Sequence, residues 1–167
     1  MEPSLNFHSP KRRGEIAELA FAYKAFGLGF SIAKPYGEST AYDFLVGTSR
    51  RGQPPPSVGP VFWKVQVKST QCFKKGGYMI GAGHFSPGNK KKAYTPTEID
   101  FLVVYIVPEN AWYVIPIAAF APQKWLSFYP QNPNSKGRFE SSREAWDQLA
   151  PVGAPSKLCL GRDLSNK

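Results

Sequence analysis

A mixed α/β (α+β) sandwich, one central mixed β-sheet with a helix packed on it, follows from three features of the sequence. An amphipathic helical segment comes first, several strand-like segments follow it, and IDFLVVYIV (99–107) is nearly continuous apolar sequence. Such a run is expected of a strand buried on both faces. A helix, four strands and two further apolar strands, in that order, bury both faces of one sheet. The 167 residues suit a single domain at 14–150, with a basic N-terminal arm at 1–13 and a peripheral tail at 151–167.

In GEIAELAFAYKAFGLGF (14–30), Ile16, Leu19, Ala20 and Tyr23 recur at i, i+3, i+4 and i+7. They form a helical stripe that Ala17 and Phe26 widen. Gly27 and Gly29 stop the helix, and Phe30 to Ala33 read as a short strand. Pro35 and Gly37 punctuate a loop before a second strand, Tyr42 to Val46. The stretch 47–60 is too rich in Pro and Gly for a sheet interior and reads as a long hairpin loop, basic through Arg50 and Arg51.

Phe62 to Ser69 alternates clearly. Trp63, Val65 and Val67 face one way, and Lys64, Gln66 and Lys68 the other. GYMIGAG (77–83) is a further strand, and 84–93 a loop carrying Lys90, Lys91 and Lys92. TPTEID forms a helical turn ahead of the apolar run, which Ala111 to Ile117 joins as a partner strand across Pro108–Glu109–Asn110. Ala118 to Phe120 start a short helix, FYPQNPNSKGRF (128–139) is loop, and SREAWDQL (142–149) is a helix capped by Ser141 or Ser142.

Apolar residues make up 42% and aromatics 14%, which excludes a disordered chain. The net charge of +9, from 21 Lys and Arg against 12 Asp and Glu, favours a polyanionic partner. Each cation near a phosphate releases a condensed counterion. Cys72 and Cys159 lack metal-ligand spacing and imply neither a zinc site nor a disulfide framework. With no apolar leader and no span of membrane length, a soluble, cytoplasmic protein is expected.

Three sets of polar groups stand where apolar ones are the norm. Asp43 lies among Tyr42, Phe44 and Leu45, although Asp is a poor strand residue. Gln66 and Lys68 project from one strand face, with Cα atoms about 7 Å apart. Glu15 and Glu18 share an edge of the first helix. Hard oxygen donors beside an ammonium suit phosphodiester cleavage, in which Mg²⁺ binds carboxylates and carbonyls while a lysine handles water or phosphate charge. Each feature also has a plain structural reading. Asp43 could cap a turn, the polar strand residues could form a solvated face, and acids near a helix N-terminus are favoured by its dipole. Their joint order favours the chemical reading.

That order resembles the PD-(D/E)XK nucleases: an acid on a first helix (GEIAE, 14–18), an aspartate at a strand (YD, 42–43) and an acid-x-Lys position on the next (QVK, 66–68). The match spans about residues 14–117. It is closest to the group I intron-encoded homing endonuclease branch, whose members carry Gln where most relatives have an acid. The resemblance implies a restriction endonuclease-like core and a Mg²⁺-dependent endonuclease acting on DNA, with Mn²⁺ able to substitute. It implies Asp43 as the principal metal ligand, Glu18 as the helix carboxylate, Gln66 and the Val67 carbonyl as further ligands, and Lys68 at the attacking water, with Glu15 as a supporting partner. Tyr42 stands where the family has proline, and Gln66 removes one negative charge from the site.

Phosphate contacts are expected from Lys11, Arg12, Arg13, Arg50, Arg51, Lys74, Lys75, Lys90, Lys91 and Lys92. Cutting both strands of a duplex needs two sites, so a homo-oligomer, dimer or tetramer, is expected, joined through IDFLVVYIV or the C-terminal aromatics. Two alternatives stay open: a nucleic-acid-binding module of the same fold without catalysis, and a Holliday junction resolvase-like nuclease. His8 and His84 suggest no ligand pair, with His84 expected at the surface or facing phosphate. Tyr94 and Trp112 read as core before base-stacking residues.

Overall fold

The computed structural model describes residues 9–37, 39–47, 61–86, 88, 90–132 and 137–150. Helix α1 (Pro10–Gly27) begins four residues before the expected Gly14, because Ser9 caps it by accepting from the Arg12 amide at 3.1 Å and Pro10 occupies the first turn. Lys11, Arg12 and Arg13 therefore belong to the helix. It ends in a paired carbonyl-capping arrangement: Gly29 N–H donates to Phe26 O and Phe30 N–H to Ala25 O, with Gly29 at φ +88°.

The buried stripe of α1 differs from the expected one. Ala17, Phe21 and Ala25 face the sheet, whereas Leu19, Tyr23 and Phe26 are 72%, 85% and 72% exposed. Apolar residues surround this helix, so periodicity alone does not choose a face. Two alanines flanking Phe21 let the backbone approach the sheet closely, and close packing selects that side.

The main sheet runs in the order β1 (Ser31–Ala33), β2 (Phe44–Gly47), β3 (Phe62–Thr70), β8 (Phe101–Ile106), β9 (Ala111–Pro116). Only β3 and β8 pair in parallel, so the sheet is mixed, and β2 and β3 form the expected antiparallel pair with Gly47 opposite Phe62. Residues 48–60, with Arg50 and Arg51, lie outside the described residues. Strand β8 is the middle layer. Phe101 and Val103 pack towards α1 with Val65, Val67, Phe21 and Trp146, and Leu102, Val104 and Ile106 pack into a second core with Tyr113, Phe120 and Phe128. Burial on both faces explains its continuous apolar sequence and removes it as an interface between copies.

The second core is covered by a three-stranded sheet in the order β10 (Trp125–Phe128), β5 (Gly77–Gly81), β4 (Phe73–Lys74). Here the structure corrects three expectations. GYMIGAG divides, with β5 ending at Gly81 and β6 (Gly83–Ser86) beginning a new ribbon; Lys90–Ala93, expected as loop, is its partner strand β7. Phe128, also expected in a loop, ends β10, in which buried Leu126 and Phe128 alternate with more open Trp125 and Ser127.

SREAWDQL is no α-helix. It falls into 3₁₀ turns at Glu140–Ser142 and Trp146–Leu149 separated by Glu144 at φ +49°, and Ser142 is buried. Tertiary bonds override the local preference, since Glu144 accepts from Trp112 N–H at 3.0 Å and Trp146 Nε1 at 2.8 Å. The short helix α2 (Ile117–Phe120) follows β9 as expected, allowing one residue at its start. The tail 151–167 is outside the described residues.

Candidate active site

The site forms where β2 and β3 part. Phe44 pairs with Val65, and Asp43, expected within the strand, stands one residue before β2 with its N–H donating to Val65 O at 2.9 Å. The next β3 amide, Val67 N–H, donates instead to Asp43 Oδ2 at 2.8 Å. A carboxylate thus takes the ladder position that a strand carbonyl would otherwise fill, which accounts for an acid among aromatics.

Gln66 Nε2 lies 2.6 Å from the same Asp43 oxygen and 3.2 Å from Val67 O. One amide NH₂ therefore bridges a carboxylate and a backbone carbonyl, a position that suits a small cation. Turning this amide exchanges its donor for an oxygen that faces the same two acceptors. With the amide turned, Asp43 Oδ, Val67 O and Gln66 Oε1, with Glu18 nearby, could offer an all-oxygen donor set of the kind Mg²⁺ or Mn²⁺ takes. Among the described residues no group of three or more His, Cys, Asp or Glu forms a metal cluster, so any ion here relies on the amide and the carbonyl.

Burial drives the electrostatics. It raises the Asp43 carboxyl from 3.8 to about 6; the Val67 amide bond opposes this, the Glu18 charge adds to it, and Lys68 and Lys34 oppose it. Burial lowers the Lys68 pKa against the pull of Asp43, and its Nζ sits 5.7 Å from the ring centre of buried Tyr94. Asp43 and Lys68 sense each other's charge, and Gln66, two residues before Lys68 on β3, donates to the Asp43 carboxylate.

Glu18 reaches the site from the third turn of α1 and lines two adjoining clefts. One, of about 460 Å³, holds Glu15, Lys34, Tyr42 and Asp43. The other, of about 360 Å³, holds Arg13, Gln66, Lys68 and Gly81. The first turn of α1 carries Lys11, Arg12 and Arg13 and no acid, so a dipole preference does not explain Glu15 or Glu18. Glu15 is exposed on the rim. Glu18 Oε2 is paired with Lys34 Nζ at 2.5 Å, a partner that sequence reasoning missed because a single lysine after a three-residue strand carries no pattern.

The remaining basic residues divide. Lys11 and Arg13 line the clefts, and Lys74 and Lys75 are exposed at the β4–β5 turn. Lys90 and Lys92 are exposed on β7, whereas Lys91 folds back with Nζ 3.4 Å from the Trp125 ring centre, in space that any Cβ on Gly81 would occupy. His84 is half-buried on β6, 3.6 Å from Glu98, and not at the open surface. Tyr94 and Trp112 are core, each 3% exposed.

A mixed sheet carrying a helix carboxylate, an aspartate at a strand mouth and a Gln-x-Lys pair on the next strand has the architecture of the restriction endonuclease-like class. The chain belongs to the PD-(D/E)XK endonuclease family, whose model matches residues 8–138. Among solved structures it is similar to a bacterial homing endonuclease, I-Ssp6803I, with TM-score 0.69 and 26% identity over 84% of this chain and 93% of that one. No curated protein matches the chain at a significant level. No helix among the described residues is long and apolar enough to cross a membrane.

Proposed function

We propose that this protein is a divalent-metal-dependent endodeoxyribonuclease of the homing endonuclease type, hydrolysing DNA phosphodiesters at the Asp43–Gln66–Lys68 site. The observation that carries the reading is the bridging position of the Gln66 amide between Asp43 Oδ2 and Val67 O. Asp43, the Val67 carbonyl, the Gln66 side-chain oxygen and Glu18 would hold Mg²⁺, and Mn²⁺ would substitute for it. When bound, the ion supplies a water of lowered pKa and charge to neutralise phosphate. Lys68, its pKa lowered by burial, orients the attacking water and exchanges a proton with it. As the water oxygen bonds to phosphorus, the opposite P–O ester bond breaks; the water's proton passes to Lys68 or solvent, and the departing oxygen takes one up from solvent. Lys11, Arg13 and the exposed lysines of β7 bind flanking phosphates and set register without reading sequence.

The active species is a homo-oligomer, because two copies are needed to cut both strands. The exposed Leu19, Tyr23 and Phe26 stripe of α1 supports such contact, in place of the buried β8. A domain spanning 14–150, with α1 extending it to Pro10, is the catalytic unit.

Supercoiled plasmid incubated with protein and Mg²⁺ or Mn²⁺ tests the reading. Wild type is expected to nick or linearise it, and Lys68→Ala to lose about 10²–10⁴ of the rate while keeping DNA binding. The replacement of an acid by Gln66 favours the rival reading, a silent binding module, and wild type that binds but leaves plasmid, linear and branched DNA uncut establishes that rival. Strong preference for a four-way junction over duplex favours a resolvase.

A further inference from the structure

Lys34 is unexplained by the roles assigned so far. It follows β1 at the sheet edge, with Nζ 2.5 Å from Glu18 Oε2 and 5.7 Å from the centre of the Phe44 ring. It lines the same cleft as Glu15, Glu18 and Asp43. Its side chain is 61% exposed and that of Glu18 22% exposed. Ion pairs this open contribute little to stability, so the pair is not explained as a structural clasp.

Its effect is electrostatic and local. Both carboxylates proposed for the cation already carry donors from the protein: Asp43 has Gln66 Nε2 and Val67 N–H, and Glu18 has Lys34. The two arrangements differ in what happens when a cation arrives. Gln66 can turn its amide and remain as an oxygen ligand, but an ammonium has no lone pair to offer and has to leave. Lys34 has the exposure and the flexible four-carbon stem to do so. Once displaced, it still stands in a cleft whose other proposed occupant is a DNA phosphate.

We propose that Lys34 is a displaceable counter-ion, neutralising Glu18 in the metal-free protein and passing to the scissile-strand phosphate when a divalent ion takes Glu18. Metal loading and phosphate grip are thereby coupled, and the coupling acts equally in both directions. The inference rests on the metal-site reading given under Proposed function.

Calorimetric titration of DNA-free protein with Mn²⁺ tests this in wild type, Lys34→Met and Glu18→Gln. Lys34→Met is expected to bind Mn²⁺ about three- to tenfold more tightly, because a competing charge is gone. Its plasmid cleavage at saturating metal is expected to slow by about tenfold or more, because a cation at the phosphate is gone. Glu18→Gln is expected to weaken Mn²⁺ binding. A merely structural Lys34 moves affinity down or not at all. Equal Mn²⁺ affinity in wild type and Lys34→Met overturns the Lys34 role and leaves the metal site standing, whereas no Mn²⁺ binding by wild type overturns the site itself and this inference with it.

Discussion

Glu144 and Asp43 are two carboxylates bonded to different strands of the main sheet, β9 and β3, and they are treated in opposite ways. Burial works to raise the Glu144 pKa, but Lys24 at 2.7 Å, Trp146 Nε1 and the Trp112 amide outweigh it, and the group ends below the usual carboxylate range. Lys24 also lies 5.2 Å from the Trp146 ring centre, so one ion pair ties the last turn of α1 to β9 and the C-terminal turns. Asp43 has fewer compensating partners. Two N–H donors share one of its oxygens, Glu18 repels it, and burial pushes it up to about 6. The first is a satisfied charge that shapes the chain. The second is a charge kept short of partners, the condition in which a carboxylate gains most from a cation.

The sharpest way to break this contrast is Asp43→Asn, expected to lower cleavage by about 10³-fold or more while stabilising the metal-free fold. The sign follows from linkage. A carboxyl whose folded pKa is above its unfolded one favours folding at low pH, and that support is lost as pH rises from 3.8 through about 6. Asparagine escapes the loss, so the gain should reach about 2–3 kcal/mol above pH ~6 and vanish below pH ~4, measured by urea unfolding in chelator. A stability cost at pH 8 contradicts it.

Glu144→Ala sharpens the other side with a smaller effect. Loss of about 1–2 kcal/mol is expected, because the Trp112 and Trp146 N–H groups lose their acceptor. Cleavage per folded molecule should hold, and a large fall in it with stability intact runs against a purely structural Glu144.

How much of this was legible in the sequence also divides along physical lines. The period-2 pattern of β3 and the apolar run of β8 gave strands, faces and site face together, since burial writes itself into composition there. Asp43, Gln66 and Lys68 stood out because each is polar where packing prefers otherwise. The α1 face was misread because small residues, Ala17 and Ala25, make the contact while larger Leu19 and Tyr23 stay outside. Strand β7 hid in a lysine run, since a two-stranded ribbon exposed on its sides needs no apolar alternation. The 142–149 segment has helical composition, and only the distant Trp112 and Lys24 decide otherwise. Lys34 carried no signal at all, because its meaning depends on a helix residue 16 positions away.

Crystals grown with Mn²⁺ and measured at a wavelength where manganese scatters anomalously put the whole scheme to the test. The expected map holds a peak about 2.0–2.3 Å from an Asp43 carboxylate oxygen and the Val67 carbonyl, with the Gln66 amide turned oxygen-inward and Lys34 away from Glu18. A map with saturating Mn²⁺ but no peak there, and Gln66 Nε2 still bridging those two oxygens, contradicts it.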